Sequence, residues 1–248
     1  FFICLQGLFA LVYIYVLRLY LSRNGGLEYV GYFNAGMVIV NTYVGLVFSS
    51  MGTEYYPRLS TIHDEIRFKD SINRQMSRCV LILTPLICTM MVFMPLVIRI
   101  LYTDSFSVIN EMCLFLLASV GFKIIEWCLG FAFLAQGRTK VLFCNEVTFK
   151  VYTLLLSLFL YNRYGLVGIG YAYLLSELMF CAQSLLIANK IWKFSINKSS
   201  QITLVVSILL ILICLLFLYM DLRLKYVVCG ICIVCVTISF LRYIRKIK

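Results

Sequence analysis

Eight apolar stretches, each long enough to cross a bilayer, constrain most strongly how this 248-residue chain folds. A helix needs about 18 or more mainly apolar residues to span the hydrocarbon core, where it must satisfy its own backbone hydrogen bonds. The sequence therefore predicts an all-α fold, a polytopic membrane helical bundle of about eight transmembrane helices. The predicted spans are Phe1 to Leu21, Tyr29 to Tyr56, Cys79 to Tyr102, Val108 to Gln136, Lys140 to Tyr161, Leu166 to Ala188, Ile202 to Tyr219 and Tyr226 to Tyr243.

The composition excludes a soluble fold and gives no sign of nucleic-acid binding. Hydrophobic residues make up 62% of the chain, charged residues only 13%, and the mean hydropathy is +0.96. A single soluble core of this size cannot bury so much apolar surface. The net charge of +11 has its cause in basic residues of the short loops, as expected for a multispan protein, and no nucleic-acid motif accompanies it.

The longest polar segment of the chain, residues 58–78, follows the second apolar stretch. Pro57 is expected to end the second helix, because proline cannot continue the hydrogen-bond ladder. Beyond it, apolar residues recur at helical spacing among basic ones, which predicts a basic amphipathic helix on the cytoplasmic surface of the membrane. A solvated connector is the alternative interpretation. The apolar residues are Leu59, Ile62, Ile66, Ile72 and Met76, and the basic ones are Arg58, Arg67, Lys69, Arg74 and Arg78.

The distribution of basic residues predicts the orientation of the chain. With residues 58–78 placed in the cytoplasm, more than twice as many loop Lys and Arg residues fall on that side as on the other. This bias is the positive-inside pattern and predicts that both ends of the chain are cytoplasmic. Because Phe1 lies inside an apolar run with no initiator Met and no charged flank, we expect the chain to be part of a longer protein.

Three consecutive predicted spans carry charged residues close to the middle of the membrane. At about 1.5 Å of rise per residue, Lys150 and Glu177 lie roughly 15 Å into the fifth and sixth spans. Lys123 and Glu126 fall in the central part of the fourth span. A lone charge at that depth costs at least about 2.5 kcal/mol, so these groups are expected to face one another or a watery cavity.

Two interpretations of these charges remain open. The spacings of Lys123 with Glu126 and of Glu146 with Lys150 allow an ion pair on one helix face, which would serve packing alone. In the functional interpretation, Lys123 and Lys150 bind an anionic substrate, while Glu126, Glu146 or Glu177 carries a coupling proton or sodium ion. Arg18, near the outer end of the first span, is a weaker substrate-binding candidate because it can reach the interface.

The remaining reactive residues indicate neither a metal site nor a catalytic one. All eleven cysteines lie in or beside apolar runs, as buried thiols do. Cys229, Cys232 and Cys235 share a helix face but have no fourth ligand, and His63 is the single histidine. The glycines of 165–170 open a membrane helix, so they predict a close helix contact rather than a nucleotide site. We expect no cofactor, no metal and no enzymatic activity.

Several short motifs resemble the second half of bacterial lipid-linked polysaccharide flippases, in the multidrug/oligosaccharidyl-lipid/polysaccharide exporter superfamily. They are residues 28–36 (EYVGYFNAG), 55–60 (YYPRLS), 133–138 (FLAQGR) and 164–170 (YGLVGIG), followed by Ser176 and Glu177. The resemblance implies a fourteen-helix transporter with two six-helix lobes and two further helices. Residues 1–193 would then be the second lobe, containing the 58–78 linker, and residues 194–248 the final two helices and a basic cytoplasmic tail.

This resemblance also implies a function. Flippases of this kind move an undecaprenyl-diphosphate-linked oligosaccharide from the cytoplasmic to the outer leaflet by alternating access. The expected partners are therefore the lipid-linked oligosaccharide, membrane lipids and a coupling proton or sodium ion, in a bacterial inner (plasma) membrane. Lys123 and Lys150 would suit the diphosphate or acidic sugars, an assignment that rests on their depth and not on a family motif.

Three other functions are compatible with parts of the sequence. A multidrug exporter of the same superfamily is the nearest alternative, although a cavity for cationic drugs is expected to favour acidic residues. A membrane-embedded polysaccharide polymerase or acyltransferase would also be basic and multispan, but no long outer loop carries candidate catalytic groups. A purely structural membrane subunit gives no reason for midplane charges on three successive helices.

Overall fold

The computed structural model describes residues 1–220, 227, 229–231 and 233–234, and within these it is a bundle of long helices. Five helices each form one potential membrane span, and a sixth is long enough for two. The helices are α1 (Phe2–Gly25), α2 (Leu27–Ser60), α3 (Glu65–Leu101), α4 (Asn110–Ala135), α5 (Thr139–Trp192) and α6 (Lys198–Tyr219), with a 3₁₀ turn at Asp104–Ile109 between α3 and α4. The predicted all-α membrane fold is confirmed.

The longest helix, α5, is a hairpin of two arms. Gly165 interrupts the helix with φ 60° and ψ −140°. A residue with a side chain would rarely adopt these backbone angles. Asn145 bonds Ser184, Phe149 stacks on Phe180, and Gly168 lies against the backbone of Leu160, so the arms 139–164 and 166–192 run antiparallel. The arms thus correspond to the predicted fifth and sixth spans, and the predicted turn at 162–165 is confirmed.

The five single-span helices and the two arms of α5 account for seven of the eight predicted spans. The predicted eighth span, 226–243, lies mostly outside the described residues. The predicted turns at residues 24–26 and 137–138 are confirmed by Gly26 and Gly137, whose φ values of 83° and 68° are left-handed. Such turns favour glycine because a Cβ atom would strain the backbone.

The turns lie at the two ends of the bundle. We call these the Gly26 end and the Gly137 end, after one turn at each. At the Gly26 end, Tyr20 bonds Asn162 of α5 and Tyr32 packs edge-on against Phe106 of the 3₁₀ turn. At the Gly137 end, the Trp192 ring contacts both Phe68 of α3 and Phe133 of α4. Successive spans therefore alternate in direction between these two ends.

Helix α4 lies in the centre of the bundle. It packs against α2, α3, α5 and α6, and 78% of the residues in its apolar 18-residue stretch are buried. By contrast, α1 packs mainly against α2 and α5, and only 11% of the residues in its apolar 18-residue stretch are buried. The two charged residues in the middle of α4, Lys123 and Glu126, are consequently half-buried, whereas α1 forms one wall of the bundle.

The segment 58–78 differs from its prediction in two ways. Helix α2 continues through Pro57 to Ser60, because proline removes only its own N–H and the Ser60 hydroxyl caps the Pro57 carbonyl oxygen. Residues 65–78 are not a separate surface helix but the first turns of α3, capped by the Asp64 side chain. The expected end of the second helix at Pro57 is therefore wrong.

Most of the apolar side of residues 65–78 is covered by protein rather than left for a membrane surface, although Ile66 is exposed. Ile72 and Met76 are fully buried, and Phe68 packs against Trp192. The buried Asn73 side chain donates to the Ser195 carbonyl and accepts from the Asn197 amide, which fixes the connector before α6. The amphipathic pattern was correctly identified as helical, but the predicted membrane contact is wrong for Ile72 and Met76.

Candidate functional site

A cavity of about 270 Å³ lies between α1, α2, α4 and both arms of α5. Three of the charged residues predicted to face a cavity line it, namely Lys123, Lys150 and Glu177. They lie on α4 and on the two arms of α5, each at least 11 residues, or about 16 Å, from the start of its helix or arm. The prediction that midplane charges surround a cavity is confirmed for these three. The other polar residues that line this central cavity are Tyr13, Asn41, Ser119 and Tyr173.

The hairpin of α5 explains why Lys150 and Glu177 meet at this cavity. The pairing of Asn145 with Ser184 and of Phe149 with Phe180 sets the register of the two arms. The same register places Lys150 within about one helical turn of the level of Glu177. Lys123 reaches the cavity because the central helix α4 packs along α5.

The predicted ion pairs between these charges do not form. In the part of the chain that the structure describes, the only ion pairs within 4.0 Å are Glu54–Arg58, Asp64–Arg67 and Glu65–Lys69, all towards the Gly137 end. The Lys150 ammonium instead lies 4.6 Å from the ring centroid of Phe149 and 5.6 Å from that of Tyr13. Cation–π contacts of this kind hold the ammonium without neutralising it.

The pairing of Lys123 with Glu126 fails for a visible reason. Lys123 lies one turn before Glu126 on α4, but Glu126 Oε1 lies 3.6 Å from the position that a Cβ atom on Gly130 would take, one turn beyond. The missing side chain at Gly130 leaves space into which the carboxylate turns. Glu126 is half-buried and is not among the residues that line the central cavity.

Glu177 is the most deeply buried of these charges, with 4% of its surface exposed. Within the described part of the chain its Oε2 atom has no hydrogen-bond partner, and the same is true of the buried hydroxyls of Tyr152 and Ser176 on the same hairpin. Beside it, the Tyr13 hydroxyl donates to that of Tyr173 at 2.8 Å, joining α1 to α5. A carboxylate among oxygens without partners can hold a proton or a small hard cation.

Sequence reasoning missed the two tyrosines of this group. Tyr13 is buried in α1, and Tyr173 faces the central cavity from the second arm of α5. Phenols in the middle of apolar spans are the available signal, because a buried hydroxyl usually requires a partner. The chain has 17 tyrosines, however, so this signal alone does not distinguish the two.

Two further cavities adjoin the central one. Towards the Gly137 end, a cavity of about 310 Å³ is lined by Gln6 and Glu146 and shares Ala10 and Lys150 with the central cavity. Glu146 is thus adjacent to the site but outside the central cavity itself. This cavity extends the polar lining along α1 towards the Gly137 end.

Towards the Gly26 end, a cavity of about 410 Å³ lies between α1 and α2. Arg18 lines it, and the guanidinium Nε donates to Asn34 Oδ1 at 2.9 Å. This cavity shares Ile14, Met37 and Asn41 with the central one. The structure therefore places Arg18 beside the lysine site and not within it.

A metal centre is not evident in the described residues, which contain no group of three or more His, Cys, Asp or Glu side chains. Cys229 lies 3.0 Å from Cys214, sulfur to sulfur, in a buried position. Cys232 and Cys235, which share its predicted helix face, lie outside the described residues.

Comparisons with known proteins bear on both sequence and fold. No protein-family model matches the chain. A Shigella flexneri protein designated a candidate O-antigen transporter is 26% identical over 166 residues, covering 63% of this chain and 38% of the relative. A lipid II flippase, MurJ in its inward closed conformation, has a similar structure with a TM-score of 0.64 at 18% identity, covering 89% of this chain and 48% of the flippase.

These similarities confirm the predicted resemblance. The fold is that of a polytopic helical bundle shared with part of the flippase, since the structural match covers most of this chain. The sequence relative is an O-antigen transporter by designation. The chain spans less than half the length of either protein it matches.

Proposed function

We propose that this chain forms part of a flippase that moves an undecaprenyl-diphosphate-linked oligosaccharide from the cytoplasmic to the outer leaflet by alternating access. The observation that carries the proposal is a membrane-embedded cavity with two lysines that no carboxylate neutralises by direct contact, in a fold shared with a lipid II flippase. The designation of the Shigella flexneri relative as an O-antigen transporter supports the same class of cargo. The role is transport and not catalysis.

The two lysines favour an anionic headgroup. Lys123 and Lys150 contribute two positive charges to the lining of the central cavity, and Glu177 contributes one negative charge. Charge-assisted bonds to phosphate are stronger where water is scarce, because the local dielectric constant is low. A diphosphate that enters the cavity would therefore replace the missing counter-charge, whereas a cationic drug would be repelled by both ammonium groups.

The cavity also suits a substrate that is only partly polar. Val40, Val44 and Phe48 of α2 and Leu116 of α4 line the same space as the charged groups. The exposed apolar residues of α1 face outward along the wall of the bundle, among them Leu8, Leu11 and Val12. A headgroup can thus occupy the polar centre while the polyprenyl chain remains in the bilayer.

The proposed orientation places the Gly137 end in the cytoplasm of a bacterial inner membrane. Exposed basic residues at that end include Arg67, Arg74, Arg138, Lys190 and Lys193. Such clustering is expected on the cytoplasmic side of a membrane protein. In the proposed transporter residues 1–193 form the second lobe, and α6 belongs to the part that follows it.

Deletion of the gene in its native host tests the proposed function. We expect complete lipid-linked repeat units to accumulate on the cytoplasmic leaflet, as measured with a membrane-impermeant label on intact and inverted vesicles. Unpolymerised units on the outer leaflet would contradict a flippase and favour a polymerase. Unchanged lipid-linked oligosaccharides would contradict both and favour drug export.

We further propose that Glu177 binds the coupling proton or sodium ion. It is the acid that combines full burial, a position at the central cavity and an oxygen without a partner. Glu126 and Glu146 remain secondary candidates, because both are half-buried and neither lines the central cavity. An intramembrane carboxylate of this kind is typical of ion-coupled transporters.

Glu177→Gln is expected to reduce gradient-driven flipping at least about tenfold while leaving affinity for undecaprenyl diphosphate within about twofold. The amide keeps the size of the side chain but cannot take up a proton or ligate sodium as a carboxylate does. Flipping is measured in proteoliposomes of the intact protein under an imposed proton or sodium gradient.

Glu28→Gln, the same change at an exposed position in the first turn of α2, is the matched control. A Glu177→Gln variant that responds to both gradients as the unmodified protein does would overturn the assignment of Glu177.

A further inference from the structure

The cavity at the Gly26 end has a charge character different from that of the other two. Arg18 is the only charged residue lining it in the described part of the chain, and Asn34, Asn41 and Thr42 add uncharged polar groups. In the adjacent cavity towards the Gly137 end, Glu146 accompanies Lys150. The electrostatic potential along α1 is thus expected to be most favourable for an anion between the central lysines and the Gly26 end.

The exposed side chain of Arg18 is held sideways against α2 by a hydrogen bond. Arg18 is seven residues before Gly25 at the end of α1, and Asn34 is seven residues after Leu27 at the start of α2. Both therefore lie about 10 Å from the Gly26 end. The 2.9 Å bond between them runs across the two helices at one depth and orients the guanidinium towards α2.

This bond leaves the anion-binding part of the guanidinium available. Arg18 uses Nε to reach Asn34, and its two terminal nitrogens have no bonded partner among the described residues. A guanidinium held at Nε presents a planar pair of N–H groups that matches two phosphate oxygens. The adjacent amide of Asn41 and hydroxyl of Thr42 supply further polar groups.

The position of Arg18 is separate from the central lysines but lies next to them along α1. Lys150 contacts the Tyr13 ring, and Arg18 follows Tyr13 by five residues, or about 7.5 Å along α1. The two cavities share Ile14, Met37 and Asn41 in their linings, so they are adjacent. An anion that leaves the lysine site towards the Gly26 end would therefore meet Arg18 next.

We infer that Arg18, positioned by Asn34, forms a second phosphate subsite that the substrate occupies after the lysine site on its way to the Gly26 end. This inference rests on the proposed function, because the phosphate is that of the carried lipid diphosphate. A bilayer phospholipid headgroup presents the same phosphate chemistry, so the test must distinguish the two sources.

The test measures equilibrium binding of radiolabelled undecaprenyl diphosphate, and separately of phosphatidylglycerol, to the intact protein in a phosphate-free detergent. Arg18→Gln is expected to weaken binding of undecaprenyl diphosphate about tenfold, because it removes one charge-assisted contact. Binding of phosphatidylglycerol is expected to change less than about twofold. The reverse pattern, with phosphatidylglycerol alone affected, would overturn the inference in favour of an ordinary lipid contact.

Asn34→Asp separates positioning from structural support. Aspartate keeps the bond to Arg18 and adds an ion pair, so a purely structural contact would be preserved or strengthened. Because the new carboxylate neutralises the guanidinium, we expect binding of undecaprenyl diphosphate to weaken about fivefold with no loss of thermal stability. Unchanged binding in this variant would overturn the role of Asn34 and of the Arg18 charge.

The Lys123→Gln/Lys150→Gln double variant serves as the reference. If it loses binding while Arg18→Gln and Asn34→Asp bind normally, only the second subsite is overturned and the proposed function stands. If the unmodified protein does not bind undecaprenyl diphosphate, the proposed function fails and the inference fails with it.

Discussion

Replacing Lys123 and Lys150 together by glutamine is expected to reduce flipping by at least about a hundredfold. Each ammonium is expected to contribute about 1.5–3 kcal/mol to phosphate binding, and about 1.4 kcal/mol corresponds to a factor of ten. The measurement is transport of a lipid-linked oligosaccharide in proteoliposomes of the intact protein. The single variants are expected to retain part of the activity, because each leaves one cation in the cavity.

The same double variant is expected to be as stable as the unmodified protein or more stable. Neither lysine forms an ion pair in the described structure, so each charge is held in the membrane at a cost that an amide avoids. When a group is retained for function at the expense of stability, its replacement leaves the protein equally stable or more stable. If the lysines served helix packing, thermal stability would instead fall along with activity.

Lys190→Gln, the same substitution at an exposed site near the Gly137 end, is the matched control for both measurements. A double variant that is inserted, stable and transports at the unmodified rate would contradict the proposed anion site. It would leave the fold as described but remove the main support for an anionic cargo.

The arrangement of spans was predictable because two strong physical signals agreed. Apolar runs longer than about 18 residues indicate helices in lipid, and Gly26, Gly137 and Gly165 marked turns that need left-handed backbone. The interior position of Lys123, Lys150 and Glu177 followed from the cost of exposing a charge to hydrocarbon. Both signals are local properties of the sequence.

Contacts between side chains were less predictable because they depend on small neighbours and on register. Spacing allowed Lys123 and Glu126 to pair, but the space over Gly130 lets the carboxylate turn the other way. Depth suggested that Arg18 can reach the interface, but it did not indicate that Asn34 lies level with it on α2 and bonds it. Neither outcome can be read from one helix alone.

The segment 58–78 shows a further limit of sequence patterns. Helical periodicity identified one apolar and one basic side, and residues 65–78 do form a helix. Periodicity does not specify what covers the apolar side, and in the structure Trp192 and the connector before α6 cover it. The basic side remains consistent with a cytoplasmic position, which is still a prediction.

The geometry of the site depends on the close packing of the α5 hairpin. Lys150 and Glu177 lie on different arms, and their relative level is set by contacts at Phe149–Phe180 and Leu160–Gly168. Gly170 brings the second arm close to α4, where a Cβ atom would lie 3.0 Å from the Met112 carbonyl oxygen. Small residues at such contacts are what allows membrane helices to approach.

Gly168→Ala is therefore expected to destabilise the protein strongly. A Cβ atom at this position would lie 3.0 Å from the Tyr161 amide nitrogen and closer still to the Leu160 carbonyl group. These are backbone atoms of the facing arm, so no flexible side chain can move aside. Overpacking usually costs about 1–3 kcal/mol, and we expect at least the upper value here because the arms must separate. Thermal unfolding in detergent, followed by size-exclusion chromatography, measures the loss.

Gly31→Ala is the matched control, because a Cβ atom on Gly31 has no neighbour within 4 Å and the residue lies inside α2. It is expected to be neutral or slightly stabilising, since alanine favours a helix over glycine by up to about 1 kcal/mol. If Gly168→Ala proves as stable as Gly31→Ala, the arms are not packed as closely as described. Because separation of the arms would also displace Lys150 from Glu177, we expect the surviving Gly168→Ala protein to bind undecaprenyl diphosphate more weakly.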